Sequence, residues 1–222
     1  MRLLLLVATF VATSAQALVI RPDRDDAEYL ELATRYPAAI EVAPGVEGVL
    51  VAPRWILTSA SAVKNLDPAK ARHPVQATFA HPQWRGGLDA DLALVFLRAP
   101  VGGVEPAPIS RDRDEMDDVV RMAAHGGDGR LRAAINTVDR VTATTLALRL
   151  KPPAEASDLQ GELSASERGA PLFAEISRRI VVTGIFSTSE RDWQLFVRVS
   201  TYADWIDDTM SRAAVEEANK PK

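Results

Sequence analysis

The sequence predicts an all-β fold that ends in a C-terminal α-helix. Short apolar or alternating segments at residues 46–51, 56–59, 75–79 and 91–97 are separated by turn residues. A second group follows at 119–124, 131–138, 145–150, 180–186 and 195–199. Between the groups lie residues 104–118, with two prolines and a charge cluster that suit an interdomain connection. His125-Gly126-Gly127-Asp128-Gly129 tolerates positive φ and predicts a tight reversal. The helix is predicted by Trp205, Ile206, Met210, Ala213 and Ala214, which recur at helical spacing after Ser200-Thr201. Those hydroxyls can cap its first turn, and Asp204 favours the helix dipole.

Ahead of this body, Met1-Arg2 precedes the apolar run Leu3–Ala12, and Ala15-Gln16-Ala17 supplies small residues at a cleavage site. That is the form of a secretory signal. The run is shorter than the about 20 residues a bilayer span needs. Cleavage after Ala17, a mature chain from Leu18 and a secreted or periplasmic protein are expected, with no membrane association afterwards. The chain has no cysteine, so neither disulfides nor a lipid anchor on cysteine are available to it. Export without cysteine suggests a bacterial source. The roughly 200 residues after the signal can bury a sufficient core without such staples. Losing Arg2 with the signal takes the net charge from −4 to −5. Mild acidity without a basic run argues against nucleic acid as a partner. A monomer without cofactor or metal is expected.

Six segments resemble the trypsin-like (chymotrypsin) serine protease family, in that family's order, from about residue 36 to 206. Gly48–Val63 (GVLVAPRWILTSASAV) is similar to G-T-L-V-x-x-x-W-V-L-T-A-A-H-C-V, and Ser166–Phe173 (SERGAPLF) to G-D-S-G-G-P-L. Tyr36-Pro37 resembles the start of the family's first strand. Asp89–Leu94 (DADLAL) resembles N-N-D-I-A-L, which carries the triad aspartate. Val182–Ser187 (VTGIFS) resembles V-x-G-I-V-S, and Phe196–Ile206 resembles Y-T-R-V-S-x-Y-x-x-W-I. The resemblance implies two six-stranded antiparallel barrels with a cleft between them. The expected layout is a signal at 1–17, a first barrel at about 30–103 and a connector at about 104–118. A second barrel at about 119–200 and a helix at about 201–217 complete the domain, which spans 18–222.

By the same resemblance Asp91 is the retained triad acid, Ser61 stands at the histidine position and Arg168 at the nucleophile position. Acyl transfer needs a base that takes the serine proton and returns it to the leaving amine. A serine hydroxyl cannot do this near neutrality, and a protonated guanidinium has no lone pair for attack. Of the other candidates, His73, His81 and His125 are expected to be exposed or packing residues. Ser164 or Ser166 would serve only if the register slipped against Pro171. Ser187, Ser189 and Gln194 fall at substrate-pocket positions, where Gln194 would fill volume that a substrate side chain needs. Glu162 aligns with the pocket floor, either as a selector of basic groups or as a solvated loop carboxylate. Glu167 keeps the acid that the family pairs with a newly cut N-terminus, but no I-V-G-G start accompanies it.

The acids of Arg111–Asp118 invite a calcium reading. Interleaved arginines and the missing EF-hand glycine favour a solvated connector instead.

An inactive protease homologue that acts, if at all, by binding a peptide or protein in the cleft is the leading expectation. An active serine endopeptidase with a rearranged site, or a decayed copy without a role, are its alternatives. Within the dead site, a buried Asp91 without its histidine demands a partner. Arg168 could reach across to it, with the Ser61 hydroxyl adding a hydrogen bond, or could turn to solvent, Glu162 or Glu167.

Overall fold

The computed structural model describes residues 18–219, so the signal expected at 1–17 lies outside it. The chain opens with strand β1 (Val19–Ile20) and helix α1 (Asp26–Ala33). Its first half supplies β2 (Ala39–Ala43), β3 (Val46–Ala52), β4 (Trp55–Thr58), the single-turn helix α2 (Ala60–Val63), β5 (Val75–Ala80) and β6 (Ala93–Leu97). The second half holds β7 (Val119–His125), β8 (Leu131–Val141), β9 (Thr145–Arg149), β10 (Gly161–Glu162), β11 (Pro171–Ile176), β12 (Arg179–Glu190) and β13 (Trp193–Arg198). Helix α3 (Ala203–Ala218) closes the chain. Every predicted strand is present, with ends shifted by a few residues.

The second half forms a closed barrel in the order β11-β12-β13-β9-β8-β7. Its interior is filled by side chains such as Met122, Leu146, Leu148, Phe186 and Phe196. The first half differs from its expected six strands. It is a five-stranded antiparallel sheet in the order β2-β3-β4-β6-β5. Its outer edges meet through the Arg72 N–H, which donates to the Val42 carbonyl at 2.8 Å, and through the Arg72–Glu41 ion pair. A register break between Glu41 and Ala43 and the donor-less Pro74 leave no continuous ladder there. Another apolar cluster joins the halves, with Val49, Leu57, Leu94, Phe173, Ile185 and Val199 among its members.

The segment from Leu18 to Tyr29 packs on the second barrel. β1 pairs antiparallel with β10, Leu18 is buried in the barrel's cluster, and the Tyr29 hydroxyl donates to the Gln160 carbonyl at 3.1 Å. Helix α1 begins at a capping box, with Asp25 accepting from the Ala27 N–H and Glu28 accepting from the Asp25 N–H. The Asp25-x-x-Glu28 spacing was the sequence signal for this unpredicted helix. From the other end, α3 returns to the first sheet, where Glu217 grips Arg54 at 2.6 Å.

The connector is anchored as well as solvated. Ser110 and Pro108 hydrogen-bond to Val182 on β12. Glu115, expected to be a solvated acid, is 2% exposed and accepts from Arg198 Nε and Nη2 at 2.9 and 2.5 Å. Arg198 also donates to the carbonyls of Arg113 and Thr142. Breaking a buried pair by removing one partner costs far more than losing an exposed one. Glu115→Ala should therefore destabilise the fold by about 3–5 kcal/mol in denaturant titration. The exposed neighbour change Asp114→Ala should stay within about 0.5 kcal/mol.

Candidate functional site

Ser61 and Asp91 are brought together by two short local devices. β4 ends at Thr58 and is followed by Ser59, whose hydroxyl accepts from the Ala62 N–H at 3.2 Å and so starts α2, which carries Ser61. Opposite it, Ala90 adopts a left-handed φ of 55° and donates its N–H to the Tyr202 hydroxyl at 3.1 Å. That bend turns Asp91 inward, where it is 1% exposed. Its Oδ1 accepts from the Ser61 N–H at 2.6 Å, and its Oδ2 from the hydroxyls of Ser61 at 2.7 Å and Ser187 at 2.6 Å. Three donors compensate the loss of water around the carboxylate.

Arg168 does not pair with Asp91. Its Nε donates to the Ser187 carbonyl at 3.0 Å, and among the described residues it forms no ion pair with Asp91, Glu162 or Glu167. Nearby amide and hydroxyl donors already satisfy Asp91, so the carboxylate does not need the longer and more costly guanidinium arm. The Ser61 hydrogen bond expected beside that pair is present without it.

The turn before Arg168 is closed on itself. Ala165–Glu167 forms one 3-10 turn, in which the Ser164 N–H donates to Glu167 Oε2 at 2.6 Å and the Ser166 hydroxyl donates to Glu167 Oε1. Glu167, 2% exposed, is thus satisfied locally rather than by a chain terminus. The Ser166 N–H donates to Ser164 Oγ at 3.3 Å. Oxyanion stabilisation in this chemistry uses the N–H of the nucleophile and of the residue two before it. With Arg168 at the expected nucleophile position, the second of those donors would be the Ser166 N–H, which is engaged by Ser164 Oγ.

The pocket positions converge on Leu163. Gln194 has no exposed surface; its Oε1 accepts from the Leu163 N–H at 3.0 Å and its Nε2 donates to the Leu163 carbonyl at 2.9 Å. Ser189, the register partner of Gln194, donates to the same carbonyl at 3.3 Å. Glu162 is half-buried beside Val19, and burial raises its pKa. His81 packs edge-on against Tyr202 and Trp205 with centroids 4.9 and 4.7 Å away, and burial lowers its pKa. Among the described residues no group of three or more His, Asp or Glu side chains stands together to hold a metal ion.

One polar pair escaped the sequence reading. Glu47 on β3, 2% exposed, accepts from the His125 N–H at 3.1 Å and meets His125 Nδ1 at 3.0 Å. This pair bridges the first sheet to the second barrel. The available signal was a lone carboxylate beside the apolar run Gly48–Val51. Burial raises the Glu47 pKa against the opposing pull of His125. Burial works against a charged His125, but the hydrogen bond and charge of Glu47 outweigh it and its pKa is raised. Glu41 and Arg72 also face the pair, around a cavity of about 280 Å³.

A group with a raised folded pKa contributes its full stabilisation below the unfolded pKa and loses it as pH climbs past the folded one. Stability should therefore fall as pH rises from 6.5 through the raised pKa of His125. Ionisation of Glu47 above its ordinary 4.5 acts in the same direction. Denaturant titrations across this window should show the slope in the wild type and lose much of it in His125→Gln. At the neighbouring position, Arg168→Ala should cost about 1 kcal/mol, the value of one hydrogen bond. A loss of about 3–5 kcal/mol in the same titration would mean that a buried charge had been stranded.

No family model matches the chain, and no curated protein matches it. Among solved structures it is similar to a scabies mite inactivated protease paralogue, with a TM-score of 0.60 and 17% identity over 79% of this chain and 95% of that one. Likeness at that identity establishes the fold alone. The closed six-stranded barrel, the second sheet and the C-terminal helix together give this chain the trypsin-like fold.

Proposed function

We propose that this chain is an exported, catalytically inactive trypsin-like protein that acts by binding a peptide or protein in the cleft between its two halves. The observation that carries the inactivity is the state of Asp91, whose oxygens accept from Ser61 and Ser187 with no imidazole between it and the nucleophile position. Arg168 at that position is engaged with the Ser187 carbonyl. Gln194 fills the volume beside Leu163 that a substrate side chain would need. The likeness to an inactivated protease paralogue agrees with this reading. Clefts between structural halves are the default binding sites of enzymes and their relatives. The described residues contain no helix long and apolar enough to cross a membrane.

Protein recovered after export should begin at Leu18 by N-terminal analysis, and a fluorophosphonate probe should label none of its serines. Covalent capture on any serine would sink the inactive reading. The double change Ser61→His and Arg168→Ser restores the triad residue types beside Asp91. Peptide hydrolysis should still remain at least about 10²–10³-fold below a competent enzyme, the effect of one missing oxyanion donor, because the Ser166 N–H stays engaged. Robust turnover by this variant would show the cleft to be intact.

A further inference from the structure

A cavity of about 440 Å³ lies outside the cleft residues described above, between the chain before β2, the proline-rich connector and the β11–β12 hairpin. Its volume falls within the roughly 300–1,000 Å³ of small-molecule sites. Behind its wall Tyr36 and Phe173 stack with centroids 5.0 Å apart and planes 27° from parallel, each only 1% exposed. Pro37, Pro106 and Pro108 add rigid apolar surface. The Tyr36 hydroxyl is buried and has no hydrogen-bond partner among the described residues, a condition that native structures seldom leave unanswered.

Charge is distributed unevenly around this apolar wall. The lining holds three guanidiniums, from Arg35, Arg178 and Arg179, against the single carboxylate of Glu105. Arg35 is paired with Glu175 at 3.2 Å. Arg178 and Arg179 make no side-chain ion pair or hydrogen bond among the described residues. A cationic mouth is unexpected on a chain of net charge −4. The backbone beneath it is strained, since Ser177 and Arg178 both adopt left-handed φ, 50° and 65°, at a hairpin turn that ordinarily takes Asn-Gly. Arginine is a poor choice there on conformational grounds, and strain of this kind is characteristically kept where a side chain must be presented.

We propose that this cavity is a binding site for a small organic carboxylate with a flat apolar or aromatic body. The body lies against the faces of Pro37, Pro106 and Pro108, over the buried Tyr36–Phe173 stack, and the carboxylate takes the guanidinium forks of Arg178 and Arg179, whose planar geometry suits a two-oxygen anion. A small cation is disfavoured by the three arginines, and a bare polyphosphate would leave the apolar wall unused. This site is independent of the peptide or protein reading of the cleft and stands or falls separately from it.

Naphthalene-2-carboxylate titrated into the full mature chain, followed by amide NMR at Ala107 and Ile180, tests the proposal, with naphthalene-2-carboxamide as the uncharged control. Saturable shifts with the carboxylate are expected, with affinity weaker by about tenfold or more for the carboxamide, the effect of losing a charge-assisted contact. The exposed double change Arg178→Ala and Arg179→Ala should weaken carboxylate binding similarly while leaving the melting temperature unchanged. No saturable response at millimolar carboxylate, equal binding of the carboxamide, or equal binding by the double variant would overturn the proposal. Saturation at these residues by an acidic hexapeptide without response to either naphthalene compound would overturn it in favour of a peptide groove.

Discussion

How the two halves meet is set by a backbone contact at Gly169. Its φ of 91° is left-handed, and a Cβ there would stand 2.1 Å from the Glu47 carbonyl oxygen and 2.2 Å from Thr58 Oγ1. Only glycine permits this approach. On either side, the Arg168 carbonyl accepts from the Glu47 N–H at 3.1 Å, and the Gly169 N–H donates to the Phe186 carbonyl at 2.9 Å. The Thr58 hydroxyl donates to the Glu47 carbonyl at 2.5 Å, holding β4 against β3 at the same point. The turn carrying Arg168 is therefore gripped by the first sheet and by β12 together, and Ser61, Asp91 and Ser187 are positioned relative to that grip.

Around this contact the fold buries several carboxylates and satisfies each differently. Asp91 is held by one amide and two hydroxyls, Glu167 by its own capping turn, Glu47 by His125, and Glu115 by Arg198. The first two solutions are largely local or use neutral donors, so they avoid the desolvation of a second charge that an ion pair entails. The last two tie segments far apart in the chain. They add charged groups to contacts between the halves, and between the connector and the barrel, that are otherwise made by apolar packing and backbone and hydroxyl hydrogen bonds.

Much of the strand pattern was legible because alternation and turn residues report local geometry directly. Segments whose functional motif spans a strand boundary were less so. Pro171–Ile176 follows a nucleophile-like turn and becomes β11, with Pro171 at the first strand position, where its missing N–H is tolerated. That Ser61 would stand beside Asp91 was legible from motif order, but the direction of Arg168 was not. That direction depends on which donors reach Asp91 first, a competition decided by the Ser61 N–H and the Ser187 hydroxyl from another part of the chain. Glu47 and His125 stand 78 residues apart, and neither segment alone indicates the other. Within the run Arg111–Asp118 every acid looks equivalent in sequence. Burial of Glu115 follows from the position of Arg198 and from the left-handed turn at Asp117, φ 65°.

The same local solutions make the site's departure from protease geometry collective rather than a matter of two exchanged side chains. A histidine at position 61 would remove one hydroxyl donor to Asp91, yet the residue's backbone N–H and Ser187 would still hold the carboxylate. Asp91 could then still orient an imidazole. The oxyanion corner is a different matter, because the Ser166 N–H is engaged with Ser164 Oγ inside the turn that also satisfies Glu167. The Ser164 hydroxyl holds that amide, whereas Glu167, 2% exposed, is held by the Ser164 N–H and the Ser166 hydroxyl of the same turn. A buried carboxylate needs a replacement partner before it can give up those it has. β1 and Leu18 are committed elsewhere, against β10 and the barrel core. The engaged amide and the buried acid share one turn, and a change at Ser164 that removes its hydroxyl while keeping the backbone in place frees the amide and leaves Glu167 both of its donors.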